Sequence, residues 1–171
     1  MPFQPATVNI TEARTQEALA TLLESVEDHG IVLTDSKFSQ TSAGLHELLT
    51  SQGEPRAKGW VLTWKALVGF EKDGNGCVVN LTFRYRLSRF HPYQNDGPDG
   101  VTSEEAFNSV IDKSIDALAR DSYLSALGGD AEILSLASRG EFTTIDWVNS
   151  THPDSSHFGE FDLDVKVQRT Y

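Results

Sequence analysis

Hydrophobic and polar residues alternate most regularly in two stretches of the chain, one in the middle and one near the end. Residues 59–88 predict a β-hairpin, because two alternating runs flank a DGNG turn at residues 73–76. Residues 161–168 alternate in the same way and predict a further strand. One predicted hairpin face is apolar and consists of Trp60, Leu62, Trp64, Ala66, Val68, Phe70, Cys77, Val79, Leu81, Phe83, Tyr85 and Leu87. The pattern therefore predicts an antiparallel sheet with one buried and one polar face.

Other stretches place their apolar residues at helical spacing. A helix is predicted over about residues 10–28, with Asn9 and Glu12 as a capping box and Gly30 ending it. A short second helix is predicted over residues 42–51. Both helices are amphipathic and should pack against other elements.

The later part of the chain predicts one more helix and more strand. Thr102 and Glu105 match a capping box, and the apolar spacing continues to about Arg120, so we expect a helix that covers the sheet. The β-prone runs at residues 133–136 and 142–148 favour a second hairpin or bent strands.

Polar stretches rich in glycine, proline or serine predict exposed connections at residues 52–58, 90–100 and 150–156. A length of 171 residues fits one sizeable core. We therefore expect a single α+β domain over residues 1–171, with a mostly antiparallel sheet of four to five strands and helices packed on one face.

The net charge of −11 disfavours specific nucleic-acid binding, because such binding depends on Lys and Arg displacing counterions. The only dense basic cluster is Arg84, Arg86 and Arg89, for which a solvated or ion-paired strand face is the simpler interpretation. Asp162 and Asp164 occupy the matching polar face of the predicted last strand. Cross-strand or intersubunit pairing would explain this cluster.

A single cysteine, Cys77, excludes an intrachain disulfide and a thiolate zinc cluster, which fits a reducing compartment. The first residues lack a basic segment followed by an apolar run, and no stretch of eighteen apolar residues occurs. We expect neither export nor a membrane partner.

Candidate chemistry is sparse. His91, His152 and His157 could supply metal ligands, but their spacing matches no metal motif, so no metal and no cofactor are expected. The chain lacks a nucleophile elbow, a phosphate-binding loop and a metalloprotease motif. No catalytic residue is predicted, and the chain is not expected to be an enzyme.

Two other hypotheses remain open at this point. A small-molecule pocket could lie between the sheet and the helix from Thr102, lined by Trp64, Phe83 and Tyr85, although Trp60 and Trp64 are better explained as core residues. The cluster of Arg84 to Arg89 could contact an anion or nucleic acid, against the overall acidity.

The order of elements resembles the tail terminator proteins of long-tailed phages, of the lambda type. The similarity spans most of the chain: the opening helix at Asn9 to Asp28, a hairpin ending in NLTFRYRLSRF, the helix SEEAFNSVIDKSIDALA and the closing strand FGEFDLDVKVQRTY. The chain departs from the family by longer loops at residues 90–100 and 150–157. Other neck and head-closure proteins therefore stay open as alternatives.

The resemblance implies a structural virion protein that forms a ring, commonly a hexamer, on the last ring of tail-tube protein. Its expected partners are itself, the tail-tube protein and a head-completion or neck protein. Its expected location is the tail or neck of the virion, after assembly in the host cytoplasm. Candidate subunit-interface residues are Arg84, Arg86, Arg89, Asp162, Asp164 and Lys166.

Overall fold

A computed structural model describes residues 10–34, 42–50, 56–94, 102–147 and 154–171. Its helices are α1 (Glu12–Glu24), α2 (Ser42–Thr50) and α3 (Ser103–Arg120), with a 3-10 turn at Ser125–Leu127. Its strands are β1 (Ile31–Thr34), β2 (Gly59–Lys72), β3 (Val78–Pro92), β4 (Ala131–Ser138), β5 (Thr143–Asp146) and β6 (Ser155–Thr170). The predicted α+β class with a mostly antiparallel sheet is confirmed, and this sheet has six strands.

The sheet is built around the long central pair of β3 and β6. The strand order is β1-β2-β3-β6-β4, with β5 also pairing with β6, and among the described strands only β1 and β2 run parallel. Strands β3 and β6 pair from Val78↔Thr170 to Pro92↔Ser156 without a bulge. Of the two alternatives predicted for the runs at residues 133–136 and 142–148, the second hairpin is wrong, because β4 and β5 pair with successive parts of β6, which is long enough at 16 residues to hold both.

Two β-bulges interrupt the pairing of β2 with β3 and add Lys65 and Val68 to β2. As a result Leu67 and Phe70 share the face of Trp60, whereas Ala66 lies opposite Arg84 on the polar face. The predicted strict alternation along this strand is therefore wrong beyond residue 64. Each bulge inserts one residue into one strand only and so shifts the pattern by one position.

Helices α1 and α3 cover the apolar face of the sheet. The predicted capping box of Thr102 and Glu105 starts α3. Tyr85, fully buried on β3, donates its hydroxyl proton to the carbonyl oxygen of Glu12 at 2.8 Å. The residues that pack from the two helices onto the sheet include Leu19, Leu23, Phe107, Ile111 and Leu118.

Helix α2 covers one end of the opposite face, so the helices are not confined to one face as expected. The second core cluster unites Leu49 of α2 with Val61, Phe90, Trp147 and Phe158 of the sheet and its connections. These apolar residues interrupt the otherwise polar face at this end.

Helix α1 is shorter than the pattern predicted. Thr11, rather than Asn9, is its N-cap, with its side chain accepting a hydrogen bond from the backbone N–H of Arg14. Asn9 lies outside the described residues. The helix ends at Glu24, and Gly30 takes a left-handed conformation with φ of 74° in the turn before β1.

Parts of the predicted exposed loops are buried. Phe90 and His91 belong to β3, and His157 belongs to β6, because these two strands extend further than their alternating segments indicated. Ala57, in the first predicted connection, is also fully buried. The rest of these connections lies mostly outside the described residues. None of the described helices is long and apolar enough to cross a membrane.

Candidate functional site

Four of the predicted interface residues form ion pairs with one another on the polar face of the sheet. Arg84 donates two hydrogen bonds of 2.8 Å to the carboxylate of Asp164. Arg86 Nε lies 3.4 Å from Asp162 Oδ1. Both pairs are directly opposite in the β3–β6 register, and the Asp164 carboxylate raises the pKa of Arg84. Of the two explanations offered for these charges, cross-strand pairing is therefore the one that the described strands show.

Further charges extend this polar face toward the β4 side. Arg139 Nη1 lies 3.5 Å from Glu160 Oε2, and its Nε lies 3.5 Å from Asp162 Oδ2. Lys166, the remaining interface candidate on β6, lies between Thr82 and Glu132 in the register. Since carboxylates accompany these arginines, this face is poorly suited to attract a phosphate backbone.

Arg89 lies on the opposite face and is fully buried, so its predicted place in an exposed basic cluster is wrong. The guanidinium donates to the carbonyl oxygens of His29 and Asp28 and lies 5.6 Å from the ring centre of Trp60. Burial lowers its pKa to about 9. Arg89 lies three positions after Arg86 and five after Arg84 on the same strand, so alternation alone would have placed it on the buried face.

Two of the histidines considered as metal ligands are cross-strand neighbours beside Arg89. His91 on β3 lies opposite His157 on β6, and both are buried. Burial, together with the positive charge of Arg89, lowers the pKa of His91 to about 4. Burial also lowers the pKa of His157. Both side chains are therefore neutral at pH 7.

His157 contacts a serine hydroxyl, which raises the question of a Ser-His catalytic pair. Ser103 Oγ lies 2.9 Å from His157 Nε2, 2.6 Å from the carbonyl oxygen of Gln94 and 2.8 Å from the Gln94 N–H. The carbonyl can only accept, so the single hydroxyl proton goes to Gln94, and His157 must donate to Ser103. The hydroxyl thus anchors the chain after β3 and is not activated by a base.

The remaining candidates for chemistry do not converge. Among the described residues, no group of three or more His, Cys, Asp or Glu side chains could hold a metal ion. His152 lies outside them. Phe83 and Tyr85 pack inside the core, whereas Trp64 lines an open groove of about 330 Å³ between α1 and β2, together with Gln16 and Thr34.

The most unusual surface is the outer edge of β2 at residues 63–72, here called the β2 edge. Strand β1 pairs only with residues 59–62, and no other described strand adjoins β2 on that side. Large apolar side chains lie on this segment and are about half exposed: Trp64 47%, Leu67 49%, Val68 43% and Phe70 59%. The sequence interpretation placed Trp64 in the core, which is wrong. An uncovered apolar strand edge is a site for pairing with another chain.

A second apolar edge lies at the other side of the sheet, on the outer side of β4 at residues 134–138, here called the β4 edge. Leu134 is the extra residue of a bulge and is 50% exposed. Just before this edge, the carbonyl oxygen of Ser122 accepts a hydrogen bond from Ile133 N–H. The adjacent Tyr123 is 60% exposed. Both sides of the sheet therefore carry exposed apolar groups.

The fold and these two edges define an α+β protein with an open sheet that can be extended on either side. No protein-family model and no curated protein sequence matches the chain.

Proposed function

We propose that the chain is a structural subunit that assembles with copies of itself into a ring, as the tail terminators of long-tailed phages do. The observation that supports this most is the β2 edge, where half-exposed apolar side chains lie on a strand that no other described strand adjoins on that side. The described part of the chain leaves this edge uncovered, and self-association covers it without any additional protein.

The charge distribution supports a protein partner over a nucleic acid. The net charge is −11, and Arg84 and Arg86 are held by carboxylates of the same chain. The polar groups that lie close together, around Ser103 and His157, satisfy one another. The proposed function is accordingly one of assembly and not of catalysis.

In this proposal the ring caps the tail tube and joins it to the head or neck. Its partners are other copies of the chain, the tail-tube protein, and a head-completion or neck protein. It is located in the tail or neck of the virion and is assembled in the host cytoplasm. These assignments follow from the resemblance in element order together with the uncovered edges.

Mass photometry of the purified chain, alone and with tail-tube protein, tests the proposal. A discrete species at a whole-number multiple of 18.8 kDa is expected, with a larger complex when tail tubes are added. A neck or head-closure role instead predicts a ring that does not bind tail tubes. A chain that stays monomeric at high concentration in both samples contradicts the proposal.

A further inference from the structure

The two apolar edges lie at the same level along the sheet, as the register across four strands demonstrates. Leu136 of β4 pairs with Leu163 of β6. Leu163 pairs with Tyr85 of β3, which in turn pairs with Trp64 of β2. Leu136 and Trp64 therefore occupy the same row of the sheet, at its two opposite sides.

The neighbouring rows match in the same way. Ile133 lies in the row of Leu67, and Ala131 lies in the row of Phe70. Because the outward N–H of Ile133 already donates to Ser122, Leu67 and Phe70 would meet Tyr123 there and not the backbone of β4. Each of the steps from β4 to β6, β3 and β2 is antiparallel, so β4 and β2 run in opposite directions. A copy rotated about an axis parallel to the strands, without a shift along it, brings its β2 edge beside the first copy's β4 edge. The two strands are then antiparallel neighbours, which can share hydrogen bonds directly.

The side chains in these rows are complementary. Trp64 and Leu67 lie on the face of the sheet that α1 and α3 cover, and Leu136 lies on the same face, so apolar groups meet apolar groups. On the polar face, Glu132 lies in the row of Gly69, which has no side chain to oppose it.

We infer, resting on the proposed function, that the subunit contact of the ring is heterologous: the β2 edge of one copy pairs with the β4 edge of the next. Tyr123 flanks this contact. A two-fold pairing of β2 with β2 would cover one edge and leave Leu134 exposed on the other. The heterologous contact covers both edges with one kind of interface, and its repetition about an axis closes a ring.

Single substitutions at half-exposed positions block each edge without disturbing the core. Leu67→Glu places a charge on the β2 edge, and Leu134→Glu places one on the β4 edge. Ile115→Glu on the exposed side of α3, where Ile115 is 40% exposed, is the matched control. Circular dichroism and thermal melts verify that each variant is folded.

Sedimentation velocity of the separate and mixed variants then tests the direction of the contact. Each edge variant alone is expected to be monomeric, and the control is expected to keep the mass of the unsubstituted assembly. At high protein concentration, an equimolar mixture of the two edge variants should form weakly associated 1:1 dimers and nothing larger, because each copy keeps one intact edge and the intact edges are complementary. Self-dimerisation of Leu134→Glu alone would indicate a two-fold β2 contact and would overturn the inference.

Disulfide trapping provides a second test that does not depend on weak association. In a Cys77→Ser background, Trp64→Cys and Leu136→Cys together should oxidise to a ladder of linked chains, since the two positions share a row. Each cysteine alone should give no linked species. Dimers from Trp64→Cys alone contradict the heterologous contact.

The failure of this inference is distinguishable from the failure of the proposed function. If the unsubstituted chain assembles and both edge variants keep its mass, the contact lies elsewhere and ring formation stands. If the unsubstituted chain is monomeric in every condition, with tail-tube protein included, both the inference and the proposed function are refuted.

Discussion

Protonation of His91 should make the stability of this fold depend on pH between 7 and 4. The imidazole is buried beside Arg89, which donates toward its Nδ1 at 3.4 Å, and across the sheet from His157. The other charges near it are Asp28, in the turn before β1, and Lys58, directly before β2. Accepting a proton there adds a charge in a site with little water, beside an existing cation.

The size of the effect follows from the two pKa values. The pKa of His91 is about 4 in the folded chain, against an ordinary value of 6.5. At pH 5 the unfolded chain therefore binds a proton that the folded chain mostly does not. Full stability is present above about pH 6.5 and is lost as the pH falls toward 4. From these two pKa values, proton linkage gives a loss of about 2 kcal/mol in the free energy of unfolding at pH 5. We reduce this loss to about 1–2 kcal/mol because the side chain is not wholly shielded from water.

Urea unfolding at pH 7 and pH 5 measures this loss, with His91→Gln as the control. Glutamine keeps a polar side chain but does not titrate, so the variant should lose about 1–2 kcal/mol less than the parent between the two pH values. His157, whose pKa is also lowered, remains in both chains and cancels in the comparison. Equal losses for the two chains would refute the assignment to His91.

Two further substitutions test the packing. Gly59→Ala should lower the free energy of unfolding, measured in urea, by at least about 2 kcal/mol, because a Cβ at this position would overlap the carbonyl oxygen of Ile31 where β1 meets β2. Gly74→Ala is the control and should be nearly neutral, because no atom lies near its added Cβ. Tyr85→Phe should lower Tm by about 2–4 °C in a calorimetric melt, because it removes the hydrogen bond to Glu12 and costs about 1 kcal/mol; an unchanged Tm would mean that this bond contributes nothing.

The central part of the fold could be predicted because its strands alternate without interruption. Placing Arg84 opposite Asp164, which their charges favour, fixes the whole β3–β6 register in the absence of a bulge. The same register brings His91 opposite His157, a pair that the sequence interpretation considered only as scattered residues in loops. This pairing could have been predicted by extending the β3–β6 register to the ends of both strands.

The free edges could not be predicted from the same pattern. Bulges at Lys65 and Val68 change which side chains face the helices, and no local property of the sequence marks such an insertion. Trp64 lies two residues beyond Leu62, the last residue of β2 that pairs with a described residue of β1. A buried strand and an uncovered edge strand have the same apolar composition, and only the number of neighbours distinguishes them.

The modest size of each edge gives ring closure a particular importance. An aromatic side chain buries about 150–250 Å² in full, so the exposed halves of Trp64 and Phe70 offer on the order of 100 Å² each, or about 2.5 kcal/mol each. Bringing two copies together costs about 4–15 kcal/mol of translational and rotational freedom, so a single contact of this size holds two copies only weakly. The last contact of a closing ring joins copies that are already held, so it adds its full stabilisation without that cost. Partial rings should therefore be scarce beside monomers and closed rings.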